Sequence, residues 1–121
     1  GIGNRNPTVE DERAITQINA AGFASLARFT FDYFTEKGGG QIVGISSILA
    51  LKGMRHSVVY SATKAYAAVY MEGLRHKSAK KKLGITVTDI RPGFIETPMT
   101  QGAKGMFWVA KVDDAAEEMY R

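Results

Sequence analysis

Two short β-branched segments, QIVGISS at 41–47 and ITVTDIRPG at 85–93, flank a helical stretch from about Tyr60 to Lys82. This order constrains the fold more than any other feature of the chain. A strand, a helix of this length and a second strand make a crossover unit. Such a unit lays two parallel strands side by side with a right-handed connection. Upstream, Thr8 precedes an acidic stretch, as a helix cap does. Apolar residues then recur at helical spacing from about Ile15 to Lys37, through Ile18, Phe23, Leu26, Phe29 and Phe34, until GGG at 38–40 ends the helix. Residues 48–58 read as a loop with Gly53 as its pivot. Leu83-Gly84 stops the second helix, and Pro92-Gly93 stops the second strand. Beyond a further loop, 112–121 opens a third helix capped by Asp113 or Asp114. The expected order is helix-strand-helix-strand-helix, an α/β pattern. Parallel sheets are covered on both faces, and two strands alone make a poor sheet. Residues 1–121 therefore read as a single partial domain, a slice of a larger doubly wound α/β fold.

Composition excludes several classes. An apolar share of 45% with 23% charged residues is that of a folded globular domain, not a disordered one. No apolar run approaches the roughly 18 residues of a membrane span, and no signal-peptide pattern is present. The chain has no cysteine, so disulfides and thiolate ligands are out, and we expect a cytoplasmic protein. The net charge is +4, with much of the excess in Lys77 and Lys80 to Lys82. No aromatic residues interleave with those lysines. They read as the solvated last turn of a helix, where cations meet the negative end of the dipole, and not as a nucleic-acid surface. His56 and His76 lie too far apart in sequence to read as a local metal pair, and no carboxylate completes a ligand spacing around them.

The chemistry is carried by YSATK, Tyr60 to Lys64. On a helix these two side chains share a face, and an ammonium beside a phenol favours phenolate. A second pair, Tyr33 and Lys37, has the same spacing but sits at the end of its helix, beside the glycine terminator. No strand end delivers a further polar group to it, so it reads as a surface contact. Tyr60 opens a helix that follows a strand ending in Ser46-Ser47. In open α/β sheets ligands bind beyond the carboxyl ends of the strands. A serine hydroxyl, a phenol, an amine and the turn of RPGFIET would thus converge on one rim.

These segments together, ISS, then YSATK thirteen residues beyond Ser47, then RPGFIET, resemble the catalytic half of the short-chain dehydrogenase/reductase family. The resemblance spans most of the chain. It implies an NAD(P)-binding Rossmann-like fold and an oxidoreductase that interconverts a carbonyl and an alcohol. It assigns Ser47, Tyr60 and Lys64 to catalysis, with Ser46 as the neighbouring alternative to Ser47. Asn19, in INAAG, matches the family's fourth catalytic residue, which holds a water in a proton relay. Tyr60, Lys64, Pro92, Gly93, Ile95 and Thr97 match positions that contact NAD or NADP. The substrate is then a small carbonyl or alcohol, and no metal is involved.

The chain departs from the family pattern in one respect. The glycine-rich phosphate-binding turn is missing, and GIG at 1–3 does not replace it. GIGNRNP looks like a loop following the family's fourth strand, so the chain is expected to be the catalytic portion of a longer protein and inactive by itself. The helices at 15–37 and 60–82 match those of the family's common dimer interface, which implies a homo-oligomer. Ala62, Ala65 and Ala68 either allow close helix approach there or pack on the chain's own sheet. The alternative is a truncated, non-enzymatic module that keeps only this helical surface. Met106, Phe107 and Trp108 either form a flap over substrate or pack on the final helix, and Glu96 faces solvent.

Overall fold

The structure is a computed structural model that describes residues 7–95 and 109–120. Thr8 caps the first helix, α1 (Val9–Thr16), in a reciprocal box. Its hydroxyl accepts from the Asp11 amide, and the Asp11 carboxylate accepts from the Thr8 amide. The helix continues without a break into a π-helical segment, Gln17–Gly22, and then α2 (Phe23–Lys37). Gly38, at φ 80°, closes α2 in the left-handed region open to glycine.

Strand β1 (Gly40–Ile45) follows, then a 3₁₀ turn at Ile48–Leu51, the long helix α3 (Val58–Lys81) and β2 (Ile85–Ile90). The strands pair in parallel, from Gly40 opposite Ile85 to Ile45 opposite Ile90. Two further backbone bonds extend the pairing past the strand ends, Ser46 N to Ile90 O at 2.9 Å and Ile48 N to Pro92 O at 3.1 Å. Helix α4 (Val112–Tyr120) lies beyond an isolated bridge between Ile95 and Ala110.

The core lies between one face of the sheet and helices α2 and α3. Ala27 and Phe31 from α2, Met71 and Leu74 from α3, and Ile42, Ile85 and Val87 from the sheet form it. On the opposite face of β1, Val43 and Ile45 are exposed.

Several sequence expectations are corrected in detail. Of the apolar residues that mark the period on α2, Phe23 and Phe34 pack against the core, whereas Leu26 and Phe29 are 68% and 71% exposed, and Ala27 and Phe31 are buried. Among the described glycines, positive φ occurs at Gly38, Gly39 and Gly84, so the loop passes Gly53 without a left-handed backbone. Helix α3 is stopped by Lys82, itself left-handed at φ 53°, followed by Gly84. Asp113 and Asp114 lie inside the first turn of α4, where carboxylates meet the positive end of the dipole, and not at its cap. Of the three alanines on α3, Ala68 is buried against the chain's own core, and Ala62 lies on the outer face.

Candidate active site

The site gathers at the carboxyl ends of β1 and β2. Lys64 reaches from the second turn of α3 to the last residue of β1, where its Nζ donates to the Ile45 carbonyl at 3.1 Å. That contact fixes one of the three ammonium donors and leaves two free to meet hydroxyl groups beyond the strand. Lys64 Nζ also lies 5.7 Å from the centre of the Tyr60 ring. The second pair has nearly the same geometry, with Lys37 Nζ 5.6 Å from the Tyr33 ring. Spacing alone thus produces the stacked pair, and the surroundings separate the two. Lys64 is anchored to a strand end, whereas Tyr33 and Lys37 are exposed.

Electrostatically, burial dominates. It raises the Tyr60 phenol above its ordinary value and lowers the Lys64 ammonium. The sequence reading expected the lysine to lower the phenol. In the structure, partial burial, which penalises the phenolate, raises it instead. Tyr60 remains 37% exposed, so its hydroxyl can be reached from outside.

Ser46 and Ser47 are both buried, and they do different things. The Ser46 hydroxyl donates to Asp89 Oδ1 at 2.6 Å, so it is committed to β2. Ser47 caps the 3₁₀ turn, and its Oγ accepts from the Leu49 amide at 3.1 Å. An oxygen used as an acceptor keeps its own proton to donate.

Asn19 sits in the π-helical segment, a type of irregularity that recurs at functional sites. Its Nδ2 donates to Thr63 Oγ1 at 3.3 Å, and that hydroxyl donates to the Tyr60 carbonyl at 2.8 Å. Asn19 is therefore joined to the tyrosine turn through Thr63, a residue the sequence reading passed over. The signal was present: Thr63 stands three residues after Tyr60, where a hydroxyl back-bonds to the helix.

Pro92 and Gly93 follow β2 directly, and the Pro92 carbonyl takes the Ile48 amide. Ile95 pairs with Ala110, so the segment after the turn is held in extended form. Thr97, Glu96 and Met106 to Trp108 lie outside the described residues. Among those described, no group of His, Asp and Glu could hold a metal ion, and no helix is long and apolar enough to cross a membrane.

A shallow groove of about 340 Å³ runs along the 3₁₀ turn and the start of α3, between Leu49, Met54, Val58 and Ala62. Its wall is largely apolar.

The model of the short chain dehydrogenase family matches residues 4–106. The chain belongs to this family. Among curated relatives, it is 34% identical to an acetoacetyl-CoA reductase of Allochromatium vinosum, over 72% of this chain and 35% of that protein. It is 33% identical to an uncharacterized oxidoreductase of Myxococcus xanthus, over 75% and 35%. A short-chain dehydrogenase from Sphingobium yanoikuyae, solved in complex with NADPH, superposes with a TM-score of 0.82 at 24% identity, over 94% of this chain and 45% of that one. A short chain dehydrogenase from Burkholderia cenocepacia, in complex with NADP, gives 0.79 at 26%, over 96% and 46%. The chain thus spans less than half the length of these short-chain dehydrogenases. The mixed helix and parallel-strand architecture is the Rossmann-like fold of these neighbours.

Proposed function

We propose that the protein is an NAD(P)-dependent oxidoreductase that interconverts a small carbonyl and an alcohol. One observation carries the reading: Lys64, one turn from Tyr60, is tied to the end of the strand that leads directly into Ser46 and Ser47. The residues fit a nicotinamide cofactor at its ribose end. Lys64 keeps two donors for the ribose hydroxyls, and the Pro92-Gly93 turn lies at the neighbouring strand tip. When bound, the cofactor supplies or accepts the hydride.

The chain's own groups do the rest. Ser47 donates its proton to the substrate oxygen and stabilises the charge that develops there. Tyr60 gives its proton to that oxygen in reduction, or takes it in oxidation. A phenol held neutral by burial suits the donor role. Lys64 orients the ribose and restrains the phenol from one side. Asn19 holds the turn that carries Tyr60 through Thr63, and a water retained at its π-helical segment would replenish the tyrosine proton by way of Lys64.

Residues 1–121 hold no glycine-rich turn for the dinucleotide phosphates, and curated relatives are more than twice as long. The chain acts as the catalytic portion of a longer protein, and alone it turns over little. The assay is therefore made on the full-length protein, with NADH and NADPH in turn and ethyl acetoacetate and 9,10-phenanthrenequinone as carbonyl probes. Tyr60→Phe should abolish turnover while leaving the melting curve intact. Undiminished turnover in that variant would remove Tyr60 from the chemistry and end the reading.

A second reading rests on the outer faces of the helices. Leu26, Phe29 and Tyr33 form an exposed apolar stripe on α2. On α3, Ala62, Ala65, Tyr66, Val69 and Tyr70 line an apolar groove. These faces are a homodimer surface. If the full-length protein assembled but never turned over a carbonyl, the chain would be a non-enzymatic module that keeps this surface.

A further inference from the structure

Asp89 is the least expected residue in β2. Aspartate is depleted in strand interiors, and a carboxylate removed from water must be satisfied by partners. The Asp89 side chain is only 5% exposed. Oδ1 accepts the Ser46 hydroxyl at 2.6 Å, and Oδ2 accepts Arg91 Nε at 2.6 Å. Both are charge-assisted bonds at the short end of their range. They join two segments of chain. Ser46 precedes Ser47, Asp89 is in β2, and Arg91 precedes the Pro92-Gly93 turn. The same two segments are laced by the backbone bonds from Ser46 to Ile90 and from Ile48 to Pro92. Ser47 therefore sits between two backbone ties and beside a buried carboxylate bridge.

We propose that Asp89 is a positioning residue, which sets the Ser47 hydroxyl and the Pro92-Gly93 turn in one fixed relation by bridging Ser46 and Arg91. This rests on the oxidoreductase reading above. The backbone ties set the spacing of the strand tips, but they leave each tip free to twist about its extended backbone. The carboxylate, held on both sides by side chains, removes that freedom. It keeps the Ser46 hydroxyl from competing with Ser47 for a substrate oxygen. It also holds the start of the turn by the guanidinium, whose side chain is still 40% exposed. A loose serine would sit outside the narrow geometry that proton and charge stabilisation require, where a displacement of about 1 Å costs about a hundredfold in rate.

The test uses the full-length protein and three variants, Asp89→Asn, Ser46→Ala and Ser46→Thr, each assayed well below its melting temperature with the two carbonyl probes. Asp89→Asn and Ser46→Ala should each lower kcat about ten- to a hundredfold, with the KM for the carbonyl probe nearly unchanged. Combining them should cost little more than either alone, since both cut one bridge. Ser46→Thr keeps the hydroxyl and should restore most of kcat. Independently of turnover, amide exchange at Ser46 and Ile48 should speed up in Asp89→Asn and return in Ser46→Thr. Wild-type kcat in a folded Asp89→Asn protein would overturn the inference. If that variant does not fold, wild-type kcat in Ser46→Ala does the same. Additive losses in the double variant would also overturn it. Absence of turnover in the wild type, or retained turnover in Tyr60→Phe, defeats the oxidoreductase reading itself. A normal Asp89→Asn in an enzyme that does need Tyr60 defeats the positioning role alone.

Discussion

Gly44 of β1 faces Met71 of α3, and adding one methyl there should show how tightly sheet and helix are set. A Cβ at Gly44 would lie 2.1 Å from Met71 Sδ and 2.8 Å from its Cε. Gly44 is not among the positive-φ residues, so alanine is compatible with its backbone and the penalty is steric. Replacing glycine removes unfolded-state freedom, which stabilises by about 0.4–1 kcal/mol. Against this, the sulfur must retreat by roughly 1.5 Å to reach an ordinary contact. Met71 is flexible, but it is 0% exposed and packed within the core, so it has no solvent to swing into. Overpacking of this kind costs about 1–3 kcal/mol, and the steric side wins. Gly44→Ala should therefore destabilise by about 1–2 kcal/mol net, read by urea and thermal unfolding. Met71→Ala alone should cost about 2–5 kcal/mol. The double variant should be less destabilised than the sum by at least about 0.5 kcal/mol, because the new methyl fills part of the hole. Gly44→Ala at or above wild-type stability, or strict additivity in the double variant, would refute this account of how α3 is seated.

Two further predictions concern the phenol and the outer helix faces. Burial raises the Tyr60 phenol, so the protonated donor persists upward in pH. Carbonyl reduction should stay level up to the ordinary phenol range near pH 10, and alcohol oxidation, which needs the phenolate, should climb with pH across that range. A reduction rate that falls steeply well below it would show that another group titrates in the rate. The exposed apolar stripe of Leu26, Phe29 and Tyr33 should hold two copies together. Light scattering should give twice the chain mass for the wild type and the monomer mass for Leu26→Asp combined with Phe29→Asp. A monomeric wild type refutes the dimer surface.

The parts legible in the sequence were those set by local chemistry. The strand–helix–strand order followed from β-branched runs at 41–47 and 85–93, and parallel pairing followed from the length of the connection. Thr8 announced a helix start because a hydroxyl ahead of acidic residues satisfies free amides. What the sequence could not show was direction in space. The apolar period on α2 carries two faces, and the larger residues Leu26 and Phe29 point outward while Ala27 and Phe31 meet the sheet. Gly40 leaves room for the Phe34 ring of α2, and Gly44 for Met71 of α3. The site shows the same division. Tyr60 and Lys64 were legible as a helical pair, yet Tyr33 and Lys37 make the same pair at nearly the same distance. Only the third partner, the Ile45 carbonyl nineteen residues upstream of Lys64, separates them. Asp89 was visible as a lone carboxylate in a β-branched run, and its meaning lay in Ser46, forty-three residues away. The functional content of this chain is thus written in residues that a single element could not satisfy: a buried acid, a lysine bound to another strand's carbonyl, and a hydroxyl that joins two helical segments. If those partnerships are what the sequence encodes, separating Lys64 from the strand tip should damage the site more than removing its charge alone. An arginine or a methionine there would then fail alike.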